Sequence, residues 1–432
     1  MTAKTTASGR FLKLAGLTAR IAGQSLGNKL RSITADEEQK QQQHQQLLTS
    51  IGVQIAQTLG EMKGAAMKVG QIASQYKDLF PPEIATELAK LQRQAPPVAF
   101  DVIQQQIERA LKQPWQQVFQ SVEQQPFAAA SIGQVHRAIL HDGRKVVIKV
   151  QYPHVEDVCR SDLKSVRLAL RLMGVLKIDA ALQDCLFAEI EDSLLNELNY
   201  ELEAHHLRLF AQFHANRDEK IIIPQVIDEY SSRYMLVLSE EQGHRMQIAS
   251  TWQPSLRNAL GRRLFKAICD QIFILQRFHC DPHPGNFAFR EDGSVIMYDF
   301  GAVKGLSDTT VDQFKQLIAA AKQGSVTAVE QQLMALQMLT QAGQFPAELY
   351  QQWFEVLLRP LTQPYDFAQN SAHHDARALI KPSLQYWQLF RPSPYTLLMN
   401  RTISGHYWNL IHLKVHDDLS DLLRHYDGTL DA

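Results

Sequence analysis

The chain has 432 residues, 45% of them hydrophobic, with a formal net charge of −1 and four cysteines. That length suits two or three packed units rather than one, and the balanced charge leaves no footprint for nucleic acid as a partner. Cys159, Cys185, Cys269 and Cys280 lack metal-ligand spacing and are too few for a disulfide framework, which implies a reducing, intracellular compartment, and no apolar run is long enough for a membrane span.

Residues 1–46 read as a basic amphipathic segment followed by a Gln-rich linker. Lys4, Arg10, Lys13, Arg20, Lys29 and Arg31 meet no acidic residue before Asp36, while Phe11, Leu14, Leu17 and Ile21 recur at helical spacing. Such a segment can lie on an anionic membrane surface, or dock on the protein body with its basic face in solvent. Gln39 to Gln46 is polar and of low complexity, suiting a linker or an exposed helix.

Residues 47–125 form a helical extension. Ile51, Ile55, Leu59, Met62, Val69, Ala73 and Tyr76 keep a helical period, interrupted by Gly60, Gly64 and Gly70. Each glycine inside a helix costs up to ~1 kcal/mol relative to alanine, so their density points to close approach of another backbone or a ligand. Pro81-Pro82 and Pro96-Pro97 end successive elements, and Asp101 is the expected N-cap of a helix over Val102 to Lys112.

From about residue 126 to 243 the sequence turns β-rich, with a helical insert. Ala128-Ala129-Ala130-Ser131 leads through Ile132-Gly133-Gln134-Val135 to a turn at His141-Asp142-Gly143 and a strand over Val146-Val147-Ile148-Lys149-Val150. One long helix is expected over about Ala181 to Phe213, with Leu186, Ile190, Leu194, Leu198 and Leu202 as its apolar stripe. On such a helix Glu197 and Glu203 stand about 120° apart and about 9 Å along the axis, so they pair with two separate lysines, Lys149 and Lys68 being the candidates. Ile221 to Val226 and Tyr234 to Leu238 read as the remaining strands of this unit, and Ser239 to Gly243 as the connection to a helical region over 244–432.

The chemistry is carried by Asp281-Pro282-His283-Pro284-Gly285-Asn286 and Asp299-Phe300-Gly301. Protein-kinase-type enzymes place a catalytic Asp five residues before an Asn and a metal-binding Asp-Phe-Gly one short hairpin later. Asp281 and Asn286 have that spacing, and Phe289, Val295, Ile296, Met297 and Tyr298 around Glu291-Asp292-Gly293 supply the hairpin. Asn286 and Asp299 offer the oxygen ligands that a hard divalent ion prefers, and Asp281 a carboxylate to orient a phosphoryl acceptor or water. Lys149 then falls where a lysine meets the α- and β-phosphates. These features predict an α+β, protein-kinase-like two-lobed fold using ATP or ADP with Mg2+. A helix is expected at about Ser307 to Lys322, capped by Ser307 or Asp308, with no Ala-Pro-Glu segment before it. Its absence, and Cys280 in place of an arginine, argue against ordinary protein phosphorylation.

In this order the motifs resemble those of the UbiB family of atypical kinases, also called aarF-domain kinases, from about residue 47 onward. Lys68-Val69-Gly70-Gln71 resembles its Lys-x-Gly-Gln signature and Ala128-Ala129-Ala130 its alanine-rich nucleotide loop. The resemblance implies that the helical extension folds over the active site and blocks a protein substrate. It implies further that Lys68 reaches the phosphates and pairs with Glu197, that Glu203 pairs with Lys149, and that Gln71, Ala128, Ala129, Ala130 and Ser131 contribute to the nucleotide site. It also implies ATPase activity linked to ubiquinone biosynthesis or isoprenoid-lipid handling, with a quinone or isoprenoid lipid, an anionic membrane surface and biosynthetic proteins as partners, and a cytoplasmic location peripheral to a membrane. Glu197-Leu198-Asn199 departs from the family's Glu-x-Asp, keeping an acceptor oxygen and losing a charge. Two other classes fit parts of the pattern: a small-molecule phosphotransferase, which shares the Asp-x-His-Pro-Gly-Asn loop, and a nucleotide-sensing scaffold.

Overall fold

The structure is a computed structural model that describes residues 37–60, 82–89, 98–129, 132–173, 180–391 and 394–426, with positions 16 and 20 besides. The basic N-terminal segment and the Lys68-Val69-Gly70-Gln71 signature lie outside the described residues, as do Ala130 and Ser131. The chain divides into two compact units, one of Met1–Ala204 with Val226–Glu240, the other of His205–Gln225 with Glu241–Ala432.

In the first unit, α1 (Glu37–Gly60) packs on α2 (Pro82–Ala89) through buried Ile51, Ile55 and Ile84. The glutamines of α1 at 42, 45 and 46 face solvent, so the Gln-rich stretch is an exposed helix. Helix α3 (Phe100–Leu111) starts one turn position before the expected cap: Ala99 is its N-cap, and Asp101 sits within the first turn. The buried side chain of Gln134 accepts a hydrogen bond from the Val98 amide, which fixes where the chain enters the helix. Strands β1 (Phe119–Val122), β2 (Ala128–Ala129), β3 (Gly133–Leu140) and β4 (Lys145–Gln151) precede α4 (Val155–Met173) and α5 (Ala180–Glu197). The chain then enters α6 (Tyr200–Ala215), passes to the second unit for β5 (Ile221–Ile222), and returns with β6 (Met235–Ser239).

Among the described residues, β1, β3, β4 and β6 make an antiparallel sheet, with β2 paired to β3. Strand β4 has partners on both sides, with Lys149 opposite Val135 of β3 and Leu236 of β6. Period-two alternation buries Val146, Ile148 and Val150 on one face and places Lys149 on the other. At Gly133 a Cβ would come 2.3 Å from the Val150 carbonyl oxygen, so only glycine allows β3 to approach β4 so closely there.

The expected single helix over residues 181–213 is two helices. The α5 ladder ends with Leu198, and Asn199 starts α6, its carbonyl accepting from the Leu202 and Glu203 amides and its Oδ1 from Leu202 N at 3.3 Å. Asparagine is a strong N-cap because its side chain satisfies an amide that the first turn leaves without a partner. Its appearance in the Glu-x-Asn sequence therefore has a local structural reason, and aspartate caps equally well.

The second unit holds α7 (Met246–Ala249) and α8 (Pro254–Asp270), which runs into a π-helical turn over Gln271–Leu275. Strand β7 (Arg277–His279) follows, then β8 (Phe287–Phe289), β9 (Val295–Met297) and β10 (Val303–Gly305). β8 and β9 form the expected hairpin, and β7 pairs with β10. Here β5 departs from expectation: Ile221 and Ile222 run parallel to Val295 and Ile296 of β9, and only Val226 bridges back to Leu238 of the first unit's sheet. Burial of Ile221 and Ile223 with Val295 and Ile296 accounts for that choice. Ser307 caps α9 (Asp308–Lys322), accepting from Thr310 N at 3.2 Å.

Beyond it, α10 (Val326–Ala335), α11 (Ala347–Thr362), β11 (Tyr365–Asp366), α12 (Ser371–Ser383), a 3-10 turn over Leu384–Leu389 and α13 (Pro394–His412) complete the helical region. They are followed by β12 (His416–Asp417), which pairs with β11, and α14 (Ser420–Tyr426). Phe345 anchors an aromatic cluster here, its ring 4.7 Å from Tyr350, 5.4 Å from Tyr386 and 5.2 Å from Phe390. No helix among the described residues is long and apolar enough to cross a membrane.

Candidate active site

In the first unit, Lys149 and Glu203 meet. Lys149 Nζ donates to both carboxylate oxygens, at 2.9 and 2.8 Å, and lies 5.1 Å from the centre of the Tyr200 ring. The Glu203 side chain is 2% exposed and that of Lys149 12%, so this is a largely desolvated pair in which each charge depends on the other. The break before α6 makes it possible by letting Tyr200 and Glu203 start a fresh turn. Gln151, two residues beyond Lys149, holds that break: its side-chain amide donates to the Leu198 carbonyl at 2.6 Å and to the Arg233 carbonyl at 3.2 Å. Glu197 closes α5 on the other side of the break, and its expected partner Lys68 is outside the described residues. Glu197 and Glu203 therefore stand on two helices and not on one continuous helix as expected. Ala128 and Ala129 form β2, paired with Val135 and Gln134, so the alanine loop begins as sheet.

In the second unit, the segment between β7 and β8 folds into a 3-10 turn over Pro284–Asn286. Asn286 Nδ2 donates to Asp281 Oδ2 at 2.8 Å and to the Asp281 carbonyl at 3.2 Å, closing the five-residue interval into a ring. Arg401 Nη2 donates to the other carboxylate oxygen, Asp281 Oδ1, at 3.0 Å. Each oxygen keeps a second lone pair for an incoming group.

Helix α13 supports the loop along one face, at four-residue intervals. Besides Arg401, Asn409 Nδ2 donates to the Pro282 carbonyl at 2.9 Å, and at Gly405 a Cβ would come 2.1 Å from Pro282 Cγ. Glycine is therefore what lets the helix backbone lie against the proline ring. His406 stands edge-on to Phe287, with ring centres 5.3 Å apart, and desolvation lowers its pKa to about 3.

Asp299-Phe300-Gly301 is held from several directions. Asp299 Oδ1 accepts from Gly301 N at 2.9 Å, the Asp299 carbonyl accepts from His279 Nε2, and the Phe300 carbonyl accepts from His206 Nδ1 at 3.1 Å. Both imidazoles have pKa values lowered by burial and donate as neutral rings. Phe300 is fully buried, 4.8 Å from the Phe210 ring and 5.2 Å from His279. The His279 amide in turn donates to Gln271 Oε1 at 3.2 Å, while Gln271 Nε2 meets His214 Nε2 at 3.1 Å. The π-helical turn thus aims a buried glutamine at the strand that feeds the loop. Cys280 is buried and its thiol pushed up to about 12 by desolvation, which makes it a packing group and not a nucleophile.

The donor set fits a magnesium nucleotide. Because Asn286 Nδ2 is committed to Asp281, its amide oxygen is the atom left to offer an ion, and Asp299 adds a carboxylate. No cluster of three or more His, Cys, Asp or Glu that could hold a metal occurs among the described residues, and magnesium is commonly held by one or two carboxylates completed by phosphate and water.

The structure thus brings Lys149 to Glu203 and Asp281 to Asn286, and sets Asp299 one hairpin away. Arg401, Gln151, Gln271, His206 and Asn409 were not apparent from sequence. One signal was available: Arg401, Gly405 and Asn409 repeat every four residues, marking a helix face of polar and small residues.

Comparison with known proteins matches these features to one family. The model of the ABC1 atypical kinase-like domain matches residues 90–333. Atypical kinase COQ8B, mitochondrial, of Danio rerio is 26% identical over 404 residues, 90% of this chain and 62% of that protein. ACTIVITY OF BC1 COMPLEX KINASE 7, chloroplastic, of Arabidopsis thaliana is 32% identical over 285 residues, covering 64% of this chain and 40% of the relative. The probable protein kinase UbiB of Sodalis glossinidius is 33% identical over 267 residues, 60% of this chain and 48% of the relative. This chain therefore spans under two thirds of these three relatives. Among solved structures, Rv3197 of Mycobacterium tuberculosis, determined in complex with erythromycin, superposes with a TM-score of 0.60 at 26% identity, covering 85% of this chain and 93% of that one. With the kinase-like fold and a family match over more than half its length, the chain belongs to the UbiB, or ABC1, family of atypical kinases.

Proposed function

We propose that the chain binds Mg-ATP and turns it over as an atypical kinase or ATPase of the UbiB type, in support of ubiquinone or isoprenoid-lipid metabolism at a membrane surface. One observation carries the reading: Asp281, Asn286 and Arg401 form a hydrogen-bonded set in which the Asn286 amide oxygen and both Asp281 oxygens keep lone pairs for incoming groups. Lys149, held by Glu203, meets the α- and β-phosphates, joined by Ala128, Ala129, Ala130 and Ser131 of the alanine loop. Asn286 and Asp299 would hold magnesium, which would neutralise charge on the phosphates when bound. Asp281 orients the acceptor hydroxyl or water and takes up its proton, and Arg401 fixes the direction in which that carboxylate faces. Lys68, Gln71 and Glu197 belong to the same site by family correspondence. The membrane reading draws on the basic amphipathic segment over residues 1–31 and on the family's link to isoprenoid lipids.

The test is thermal unfolding with nucleotide. The wild type should gain several degrees from ATP or ADP with magnesium and lose that gain with EDTA, since a ligand at about 100 times its Kd adds about 2.7 kcal/mol. Asp299→Asn should abolish the gain, and Asp281→Asn should keep it while stopping phosphate release. Absence of any magnesium-dependent gain in the wild type would overturn the reading.

A further inference from the structure

The outer face of α12 and the 3-10 turn after it presents three large apolar side chains to solvent: Ile380 at 48% exposure, Leu384 at 57% and Trp387 at 65%. Their spacing aligns them. Ile380 and Leu384 are i and i+4, and Leu384 and Trp387 are i and i+3 in a 3-10 turn, where such side chains eclipse. The core does not claim this stripe. The opposite side of the same turn supplies it, with Tyr386, Leu389 and Phe390 packed in the aromatic cluster and Ser383 accepting from Trp353 Nε1 at 3.0 Å.

Charge sharpens the picture. From Ala376 to His416 the sequence contains no aspartate or glutamate. Arg377 and Lys381 are exposed on the same stripe of α12 as the apolar residues, and Arg391, also exposed, follows the 3-10 turn. Further on, Arg401 turns to Asp281 instead. Asp375, earlier on α12, and Glu355 on α11 both pair with Arg359. An exposed tryptophan with aliphatic neighbours, flanked by cations and lacking anions, is the composition of a surface that seats at a lipid headgroup boundary. A second copy of this chain placed face to face would bring like charges together.

We infer that the α12 face, centred on Ile380, Leu384 and Trp387 and ringed by Arg377, Lys381 and Arg391, docks on an anionic phospholipid surface. The inference rests on the membrane-surface reading above and names the face that makes the contact, separate from the N-terminal basic segment. The apolar stripe enters the boundary between headgroups and acyl chains while the three cations remain among the phosphates.

Flotation of the full chain with vesicles of phosphatidylcholine, alone or mixed with phosphatidylglycerol, tests it. The wild type should float with the mixed vesicles and not with phosphatidylcholine alone. Lys381→Glu should lower the vesicle-bound to free ratio about five-fold or more, and Trp387→Ser about ten-fold, with thermal midpoint and Mg-ATP response at wild-type values. Tryptophan emission should shift to the blue on vesicle addition, by less in Trp387→Phe. If the wild type floats and both variants float equally well, this face is overturned, while membrane attachment stands and passes to the N-terminal segment. If the wild type floats with neither vesicle, the membrane reading falls as well, and the nucleotide test is unaffected. Binding to immobilised polyglutamate but not to vesicles would assign the face to an acidic protein and overturn the lipid assignment.

Discussion

Asp281 is reached by two residues of very different origin. Asn286 is its neighbour in sequence, and Arg401 arrives from a helix more than a hundred positions later. Arg401→Gln should lower phosphate release at saturating Mg-ATP about tenfold or more, in the range set by a misplaced catalytic group. The magnesium-dependent thermal shift should survive, because the substitution leaves the proposed ligands Asn286 and Asp299 in place. Loss of the shift together with activity would show that Arg401 serves nucleotide binding instead. The two cases also mark what sequence can reveal at this scale. The interval from Asp281 to Asn286 is set by one turn of backbone and so is visible as spacing. The distance from Asp281 to Arg401 is set by tertiary packing and leaves no interval to recognise. Gln151 and Gln271 were hidden for a related reason, since a buried glutamine is identified only by the carbonyl or amide it satisfies.

At the scale of elements, the break at Leu198-Asn199 divides what would be one helix into two. The leucine stripe from Leu186 to Leu202 keeps its four-residue period straight through it, so periodicity alone predicts one helix where there are two. What the period misses is the cap, which acts through a single side chain. Asn199→Ala should cost about 1 kcal/mol in urea unfolding, the usual loss for a removed N-cap, and Asn199→Asp should cost little. Equal destabilisation by both would mean that the amide nitrogen of Asn199, and not its oxygen, is what matters. Strand β5 teaches a different lesson. Ile221 to Ile223 is legible as a strand from its apolar β-branched run, but its partner β9 lies far along the chain, and local composition cannot say which sheet receives it. The β8–β9 hairpin, the β4 strand that carries Lys149 and the Ser307 cap were legible because each is determined by residues close in sequence.

Over the whole molecule, neutral buried histidines tie the fold to pH. Desolvation lowers the pKa of His214 to about 4 and of His406 to about 3, and lowers those of His136 and His279 in the same direction. In the unfolded chain each titrates near 6.5. Below that value the unfolded state binds more protons than the folded one, so stability rises with pH through this window and is lost as pH falls. The contribution is complete above about pH 6.5. By pH 5, His214 and His406 should each have lost about 2 kcal/mol. Urea midpoints should therefore drop between pH 7 and pH 5, and His214→Gln should flatten part of that slope. A midpoint independent of pH across the range would contradict the burial of these rings.

The seam between Gly405 and Pro282 has no slack, since a single added carbon would overlap the pyrrolidine ring. It imposes a compatibility rule between the middle of the chain and its final helices. A chimera that imports α13 from a relative with a bulkier residue at position 405 should misplace the turn that carries Asp281, whereas importing that helix together with its own matching loop should restore it. Recombination within this family is therefore expected to succeed when these two segments travel as one block, however far apart they lie in the gene.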